Sequence, residues 1–322
     1  MEFIVDKLSL GEREWISRQL LQELQQRSPE LAERLLKRIV QAAGNNVNAL
    51  GEYALAFDRE GNLDLADVFY RKAVEKEPQN VKNLGDYGDF LEKQRGDMDA
   101  AESYYKRAID ADPKDAKSLN SYATFLACQR GDLNAAESHF KRAVEADPKN
   151  ENVLFDYAIF LQRDRGDLDT AESYYKQLIE ADPTRSGSLC NYGQILAVRG
   201  RMNEAEEKLR TAFNLFAEYS PRDAAEACFS LWLISQMQAH DAERWERCFK
   251  FLVLHGFKRY RWSFDGMLEQ AGKKLSSEEL EYANALALAF LDENKVPELD
   301  RFERWRKIEP LDPKSQTPPA KS

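Results

Sequence analysis

The residue types that most often carry catalysis or bind metals are scarce in this chain of 322 residues. A structural zinc site needs four cysteine or histidine ligands, usually in closely spaced pairs. The chain has four cysteines and three histidines, without a Cys-x-x-Cys pair and without grouping at ligand spacing: Cys128, Cys190, Cys228, Cys248, His139, His240 and His255. We therefore predict no metal site and no cofactor. His139 takes a place that tyrosine fills in neighbouring parts of the chain, which indicates a packing residue.

Residue sets for nucleophilic catalysis or phosphate binding are not recognisable either. No Ser/His/Asp or Cys/His set stands at a known spacing, and no glycine-rich loop follows a strand pattern. We therefore expect a protein that is not an enzyme. One segment, residues 257–262, reads Phe-Lys-Arg-Tyr-Arg-Trp, a composition that suits stacking on nucleic acid. Its short length favours a turn between two helices, with the aromatic rings inward and the bases outward.

The charge of the chain argues against a nucleic-acid partner. The formal net charge is −10, and residues 1–219 hold 30 basic and 39 acidic residues, a surplus that repels phosphates. No apolar run approaches the roughly 20 residues that a membrane-spanning helix requires. The first six residues, Met-Glu-Phe-Ile-Val-Asp, carry acids where a secretory signal carries bases. We therefore expect a cytoplasmic protein that binds neither nucleic acid nor membrane.

The elements that position these residues follow a strict period of 35 residues. Prolines, glycines and alanines recur at this spacing: Pro78, Pro113, Pro148 and Pro183; Gly61, Gly96, Gly131 and Gly166; Ala66, Ala101, Ala136 and Ala171. A fixed period of this length is typical of a repeat protein. The tyrosines at 87, 122, 157 and 192 share the period, but Tyr53 precedes the first of them by 34 residues, so the middle repeats gain one residue between tyrosine and glycine.

Each repeat reads as two helices joined by a turn. In the second repeat, Leu84, Tyr87 and Leu91 are spaced as on one face of a helix, and Gly96 allows that helix to end. Asp97 is placed as the N-cap of a second helix, which Asp112-Pro113 then terminates. Small alanines allow the two helices to approach closely. Glu-before-Lys pairs four residues apart predict an exposed, charged face: Glu102 with Lys106, Glu137 with Lys141, and Glu172 with Lys176.

The repeats resemble the tetratricopeptide repeat (TPR) family. The resemblance rests on phrases such as Gly-Asp-Leu-Asn-Ala-Ala-Glu at 131–137 and Phe-Lys-Arg-Ala at 140–143, followed by Ala-Asp-Pro at 146–148. It covers residues 46–217 as five units, the fifth with Leu209 in place of the aromatic and Ala217 in place of proline. The resemblance implies an all-α, right-handed superhelical solenoid of helix hairpins. In that fold the first helices line a concave groove that holds a peptide or a helix of a partner protein.

Two related repeat families have nearly the same period. Pentatricopeptide repeats read single-stranded RNA and need a basic groove, which the net charge disfavours. The half-a-TPR repeats of RNA-processing scaffolds are disfavoured by the intact Asp-Pro phrase. Some TPR proteins grip a chaperone's C-terminal carboxylate with basic and amide side chains, but here Gly51, Leu55, Asp86 and Asp89 take those places.

The sequence predicts four regions. Residues 1–45 form a helical hairpin that covers the N-terminal end of the stack, because a terminal repeat otherwise leaves an apolar face in water; a partner-binding role is the alternative. The repeat array occupies 46–219, divided as 46–80, 81–115, 116–150, 151–185 and 186–219. A C-terminal helical region follows at 220–308 as a degenerate repeat plus cap. The proline-containing tail at 309–322 is expected to be disordered.

The predicted groove comprises the residues on the inner side of the first helices: Asn48, Leu55, Lys82, Asp89, Lys93, Asn120, Thr124, Asn152, Phe155, Ile159, Arg163 and Gln194. Phe155 and Ile159 lie four apart on the side opposite the core; they either contact a partner or pack on the adjacent repeat. A ladder of arginines directly precedes the glycines: Arg95, Arg130 and Arg165. These side chains either neutralise helix C-termini or form a docking strip for an acidic partner.

The sequence therefore favours a non-catalytic scaffold or adaptor that binds a protein or peptide in the concave groove. The alternative is a TPR sensor module attached to a C-terminal helical domain with enzymatic or nucleic-acid-binding activity.

Overall fold

The computed structural model describes residues 47–219, 221–239, 242–254 and 264–311, which are helical with short connections and contain no strand. The predicted N-terminal hairpin, His240, His255, the segment 257–262 and residues 312–322 lie outside the described residues. The chain divides into two compact units between Val153 and Leu154. The all-α fold of paired helices predicted from the sequence is confirmed.

Unit 1 contains three helix hairpins of similar design. Their helices are α1 (Val47–Arg59) with α2 (Leu63–Lys76), α3 (Val81–Phe90) with α4 (Met98–Ala111), and α5 (Ala116–Phe125) with α6 (Leu133–Ala146). The first helices are neighbours, since α3 packs on both α1 and α5. The helix α7 (Glu151–Phe160) begins in unit 1 and ends in unit 2.

Unit 2 continues the same pattern and then departs from it. Its further helices are α8 (Leu168–Ala181), α9 (Ser186–Val198), α10 (Met202–Tyr219), α11 (Pro221–Met237), α12 (Glu243–Leu254), α13 (Asp265–Gly272), α14 (Ser277–Leu291) and α15 (Glu303–Lys307), with a 3₁₀ helix at Glu293–Arg301. Successive helices pack in order from α8 to α12, while α13 packs on α9, α11 and α14.

Small residues set the distance between the two helices of a hairpin. Ala66, Ala101 and Ala136 are fully buried. Gly88 faces the ring of Tyr105, and a Cβ at this glycine would lie 2.9 Å from Tyr105 Cε1. The hairpin of α3 and α4 therefore closes only because this position carries no side chain.

The predicted helix ends are confirmed. Gly96, Gly131 and Gly166 adopt left-handed φ values of 68°, 69° and 66°, a region that favours glycine. The aspartate that follows each glycine caps the next helix: Asp97 accepts from the Ala100 N–H at 3.1 Å, and its equivalents in the next two repeats do the same.

The additional residue of the middle repeats is accommodated by a π-helical turn. The first helices of the second, third and fourth repeats end in π turns at Leu91–Arg95, Leu126–Arg130 and Leu161–Arg165. In the first and fifth repeats, where tyrosine and glycine are one residue closer, α1 and α9 end without a π turn. The length difference between repeats is thus absorbed inside a helix rather than in a loop.

In the three repeats with a π turn, one buried residue of the second helix is polar only where the residue opposite it in the π turn is polar. Tyr105 on α4 donates to Glu92 at 2.8 Å, and Tyr175 on α8 donates to Gln162 at 3.0 Å. In the third repeat the equivalent residues are Phe140 and Ala127, which have no side-chain polar atoms. Among the three repeats with a π turn, a hydroxyl is therefore present in the two whose π turn supplies an acceptor and absent in the third.

The Glu-Lys pairs form as predicted, with distances of 2.6, 2.7 and 2.6 Å, but their glutamates are more buried than an exposed face implies. Glu172 is the clearest case, since its side chain is only 7% exposed and also forms an ion pair with Arg199 at 2.6 Å. Glu102 similarly pairs with Arg130 at 2.8 Å. These carboxylates connect one repeat to the next, because the arginines belong to the following repeat.

The C-terminal helices enclose buried charges. Glu246 on α12 is fully buried, accepts from Tyr282 at 2.6 Å and Trp232 at 3.2 Å, and forms an ion pair with Arg304 at 2.5 Å. Lys250, one turn further along α12, donates to the Ile308 carbonyl at 3.0 Å. Buried charges need such partners. These groups hold α14 and α15 against α12, and the predicted helical C-terminal region is present over its described residues.

Candidate functional site

The first helices of unit 1 expose a mixed surface, called here the first-helix face, that includes several predicted groove residues. Lys82 and Lys93 are exposed, Leu55, Asp89 and Thr124 are half-buried, and Asn120 is buried. Asn152 is exposed at the start of α7, and the side chain of Asn48 lies outside the described residues. Leu55 and Lys82 line one cavity of about 400 Å³ together with Arg59.

A carboxylate at the centre of the first-helix face holds two lysines. Asp86 is buried and accepts from Lys82 at 3.1 Å and from Lys117 of the next repeat at 2.8 Å. Burial disfavours the charged form of Lys117, but the hydrogen bond that Lys117 donates to Asp86 and the nearby charges of Asp86, Asp89 and Asp115 together outweigh it, so the pKa of Lys117 is raised. Both ammonium groups are therefore positioned at the surface of adjacent first helices.

A second acidic group lies one turn further along α3. The Tyr105 hydroxyl lies 2.7 Å from Asp89 and 2.8 Å from Glu92, so these two carboxylates share its single proton, and Asp89 also pairs with Lys93 at 3.5 Å. Burial, with Asp89 and Glu92 nearby, raises the pKa of Tyr105 far above its usual range, so the hydroxyl stays a donor. Asp89 is thus held on its buried side by Tyr105 of the core. Its side chain remains 30% exposed, so a partner can reach it.

Phe155 has packing partners within unit 2. Its ring meets Tyr175 edge-on at 6.2 Å between centroids, and the guanidinium of Arg185 lies 5.2 Å from its centre. Gly187 of the next repeat lies so close that a Cβ there would be 2.9 Å from Phe155 Cζ. The structure therefore places Phe155 against the adjacent repeat, one of the two roles that the sequence left open.

Three other predicted groove residues meet at one cavity of unit 2. Ile159, Arg163 and Gln194 line a space of about 350 Å³, between the end of α7, its π turn, α9 and α13. Gln194 is only 3% exposed and forms the deepest part of this set. Arg163 donates to the neighbouring carboxylate of Asp164 at 2.6 and 3.0 Å, so its charge is largely compensated.

The arginine ladder is engaged within the protein. Arg95 donates to Asp64 at 2.8 Å and to the Leu63 carbonyl at 3.1 Å, both at the start of α2. Arg130 reaches the start of α4 in the same way, at 2.5 Å from Asp99. Arg165 lies over the ring of Phe160 at 5.6 Å. Arg95 and Arg130 therefore use their charges in contacts with the preceding repeat.

Residues of α13 were missed by the sequence reasoning. Asp265, Met267 and Glu269 line the unit 2 cavity, although they lie outside the five repeats, which end at residue 219. Because this part of the chain lacks the repeat signature, no period indicates which side of α13 turns towards α9.

The ionisable residues give no sign of catalytic chemistry in the described ranges. No group of three His, Cys, Asp or Glu residues there could hold a metal ion. Cys190, Cys228 and Cys248 are buried, and burial together with the neighbouring Cys248 raises the pKa of Cys228 well above its usual value, which opposes thiolate formation. His139 packs edge-on against Tyr122 at 4.9 Å, as Tyr104 packs on Tyr87. None of the described helices is long and apolar enough to span a bilayer.

The family assignment comes from comparison with known repeat sequences. Residues 91–151 and 161–215 match the profile described as tetratricopeptide repeat. The array is a TPR array. The matched ranges include the π turns, the capped second helices and the Tyr105 and Tyr175 contacts described above. No curated protein matches the sequence.

Solved TPR structures share the fold at low sequence identity. PilW, described as a widely conserved type IV pilus biogenesis factor, aligns with a TM-score of 0.54 and 18% identity over 62% of this chain and 90% of its own. PilF of Pseudomonas aeruginosa gives 0.52 and 18% over 63% and 90%. A tetratricopeptide repeat protein of Parabacteroides merdae gives 0.51 and 18% over 84% and 99%. At this identity the likeness establishes the TPR fold and nothing more specific.

Proposed function

We propose that this TPR protein is a non-catalytic scaffold or adaptor, and that it holds a segment of a partner protein on the first-helix face. The observation that carries the proposal is the contrast between two sets of charges. Arg95 and Arg130 of the arginine ladder are directed into contacts between repeats, whereas Lys82 and Lys117 are each more than half exposed while both pair with the buried carboxylate of Asp86. Charges held in place but open to solvent suit recognition, because little side-chain entropy remains to be lost on binding.

The first-helix face offers both signs of charge and apolar contact. Leu55 and Ala56 provide apolar surface in the unit 1 cavity, and Asp89 and Lys93 provide a carboxylate and an ammonium one helix away. A partner segment can therefore bury apolar side chains and pair its charges on the same surface. The TPR family resemblance supports the same type of ligand, a peptide or helix.

Site-specific photo-crosslinking tests the proposal. A benzophenone amino acid is placed at Leu55, Lys93 or Thr124 on the first-helix face, and at the exposed residues Ser103 and Ser138 of the second helices as matched controls. Each variant is irradiated in lysate of the source organism, and the products are identified by mass spectrometry. We expect one protein to be crosslinked from the first-helix positions and not from the controls. Capture from the second-helix positions alone, or no capture from any position, contradicts the proposal.

The charge reversal Lys93→Glu provides a second measurement on the captured partner. Lys93 is 63% exposed and pairs only loosely with Asp89, so its reversal leaves the core unchanged. We expect partner affinity to fall about tenfold at low salt and the difference to shrink as salt is added, since exposed charges are screened. The control Lys141→Glu reverses an exposed lysine of a second helix and is expected to leave affinity unchanged.

A further inference from the structure

Two lysines on adjacent first helices of unit 1, called here the lysine pair, share one carboxylate. Lys82 lies in the first turn of α3 and Lys117 in the first turn of α5. Lys82 Nζ lies 3.1 Å from Asp86 Oδ2, and Lys117 Nζ lies 2.8 Å from Asp86 Oδ1. Because Asp86 is buried and uses one oxygen for each lysine, it holds both ammonium groups where the second and third repeats meet.

Both ammonium groups keep donors for a further ligand. An ammonium group carries three N–H donors. Within the described part of the chain, neither lysine donates a hydrogen bond to any residue other than Asp86. The side chains of Lys82 and Lys117 are 54% and 61% exposed. Two N–H donors on each lysine therefore remain for solvent or for a ligand.

The lysine pair leaves a positive charge on this part of the first-helix face, since two ammonium groups meet one carboxylate. Asp89 and Asp115 are the other carboxylates that act on Lys117, and each has a donor of its own. Asp89 pairs with Lys93 at 3.5 Å, and Asp115 accepts from the Ser118 N–H at 2.8 Å at the start of α5. An anion can therefore approach the lysine pair although the protein as a whole is acidic.

A carboxylate matches the lysine pair better than a phosphate group does. A carboxylate brings one negative charge and two oxygens, so it can accept from one lysine with each oxygen and neutralise the remaining charge. A phosphate monoester brings a charge of about −1.5 to −2 and would leave an excess of negative charge beside the buried Asp86. In a partner segment, a single carboxylate is supplied by an aspartate or a glutamate.

We propose that the lysine pair binds the side-chain carboxylate of an aspartate or glutamate in the partner segment. One oxygen of this carboxylate accepts from Lys82 and the other from Lys117, while Asp86 holds both lysines on their buried side. The inference rests on the proposed function and deepens it, because it names an acidic side chain as the feature that is recognised between α3 and α5.

A displayed peptide library tests this proposal without knowledge of the natural partner. Random peptides, displayed without a free carboxyl end, are selected on the full-length protein and retained when they crosslink from the first-helix positions. We expect the enriched peptides to share an aspartate or glutamate at one position. One such peptide is synthesised with the acid and with its amide counterpart, asparagine or glutamine. By fluorescence anisotropy, we expect the amide peptide to bind about tenfold more weakly.

A protein variant assigns this difference to the lysine pair. Lys117→Gln leaves Asp86 paired with Lys82, and we expect about fivefold weaker binding of the acidic peptide. The amide peptide should bind Lys117→Gln and the unmodified protein equally, because it lacks the group that Lys117 contacts. Lys141→Gln makes the same charge change at an exposed lysine of a second helix and should leave both affinities unchanged. Circular dichroism confirms that each variant is folded.

The outcomes separate this proposal from the proposed function. Peptides that crosslink from the first-helix positions but share no acidic residue would overturn the inference and leave the proposed function standing. The same holds if no peptide is enriched by a protein that still captures a partner from those positions. Equal losses for the acidic and amide peptides in Lys117→Gln would overturn direct recognition by the lysine pair. Tighter binding of a phosphoserine peptide than of either acidic peptide would overturn the carboxylate in favour of a phosphate group.

Discussion

The hydroxyl of Tyr175 donates to Gln162 across the fourth hairpin at 3.0 Å. Tyr105 makes the corresponding bond to Glu92 in the second hairpin, whereas the third hairpin places Phe140 opposite Ala127. In these three hairpins, the residue type on the second helix therefore matches the residue type opposite it in the π turn. Burial raises the pKa of Tyr175 well above its usual value, and the hydroxyl consequently stays protonated and able to donate.

The first prediction tests this matching. Phe140→Tyr introduces a hydroxyl at a position that is 2% exposed and lies opposite Ala127, which offers no side-chain acceptor. We expect a loss of about 1–3 kcal/mol of stability, the cost of an unsatisfied buried polar group. Adding Ala127→Gln should recover part of the loss. The thermal midpoint by circular dichroism reports both changes, and a double variant less stable than Phe140→Tyr alone would contradict the pairing.

The second prediction concerns the contact between Phe155 and Gly187. Gly187→Ala places a methyl group 2.9 Å from Phe155 Cζ, so we expect destabilisation of about 1–3 kcal/mol from overpacking. Phe155→Leu should relieve part of it, which a double-mutant cycle measures. Gly85→Ala is the matched control in α3, where the nearest atom would be 3.9 Å away. There the gain in helix propensity should stabilise the protein by up to about 1 kcal/mol.

The third prediction uses the π turn. Deleting Gln129 gives the third repeat the tyrosine-to-glycine spacing of the first and fifth repeats, whose first helices end without a π turn. We expect the protein to keep its helical content and lose about 1 kcal/mol, because the bond from Gln129 to Glu92 at 2.8 Å disappears. Deleting Ser138 inside α6 is the control. It rotates all later residues of that helix by about 100°, and we expect the protein to lose cooperative unfolding.

The fourth prediction is a pH dependence. Burial, with the Arg142 guanidinium 3.3 Å from Nδ1, lowers the pKa of His139 below its value of about 6.5 in an unfolded chain. The unfolded state then binds the proton more readily, so stability is complete above pH 6.5 and falls as pH decreases towards the folded pKa. His139→Tyr, the residue of the neighbouring repeats, removes this dependence. We expect its midpoint relative to the unmodified protein to rise between pH 7.5 and pH 5.5. A constant difference would show that His139 does not titrate in this range.

Local signals in the sequence predicted most of the repeat structure. Helix ends at Gly96 and Asp97 depend on neighbouring backbone groups, and the period carries them from repeat to repeat. The site was harder to predict. Gln194 occupies the helix position of Thr124 and Ile159, but α11 and α13 bury it, and neither helix carries the repeat signature. The additional residue per repeat was visible in the tyrosine-to-glycine spacing, yet spacing alone does not distinguish a longer loop from a π turn.

The alternation of hydroxyl and acceptor between hairpins also guards against wrong assembly. Repeats of near-identical sequence can exchange helices during folding, since each apolar stripe fits several partners. If the second helix of the second repeat closed on the first helix of the third, Tyr105 would face Ala127 and leave its hydroxyl, and Glu92, without their mutual bond. The polar pairs of the second and fourth hairpins therefore disfavour exchange of helices with the third hairpin, although the apolar cores of these repeats are similar.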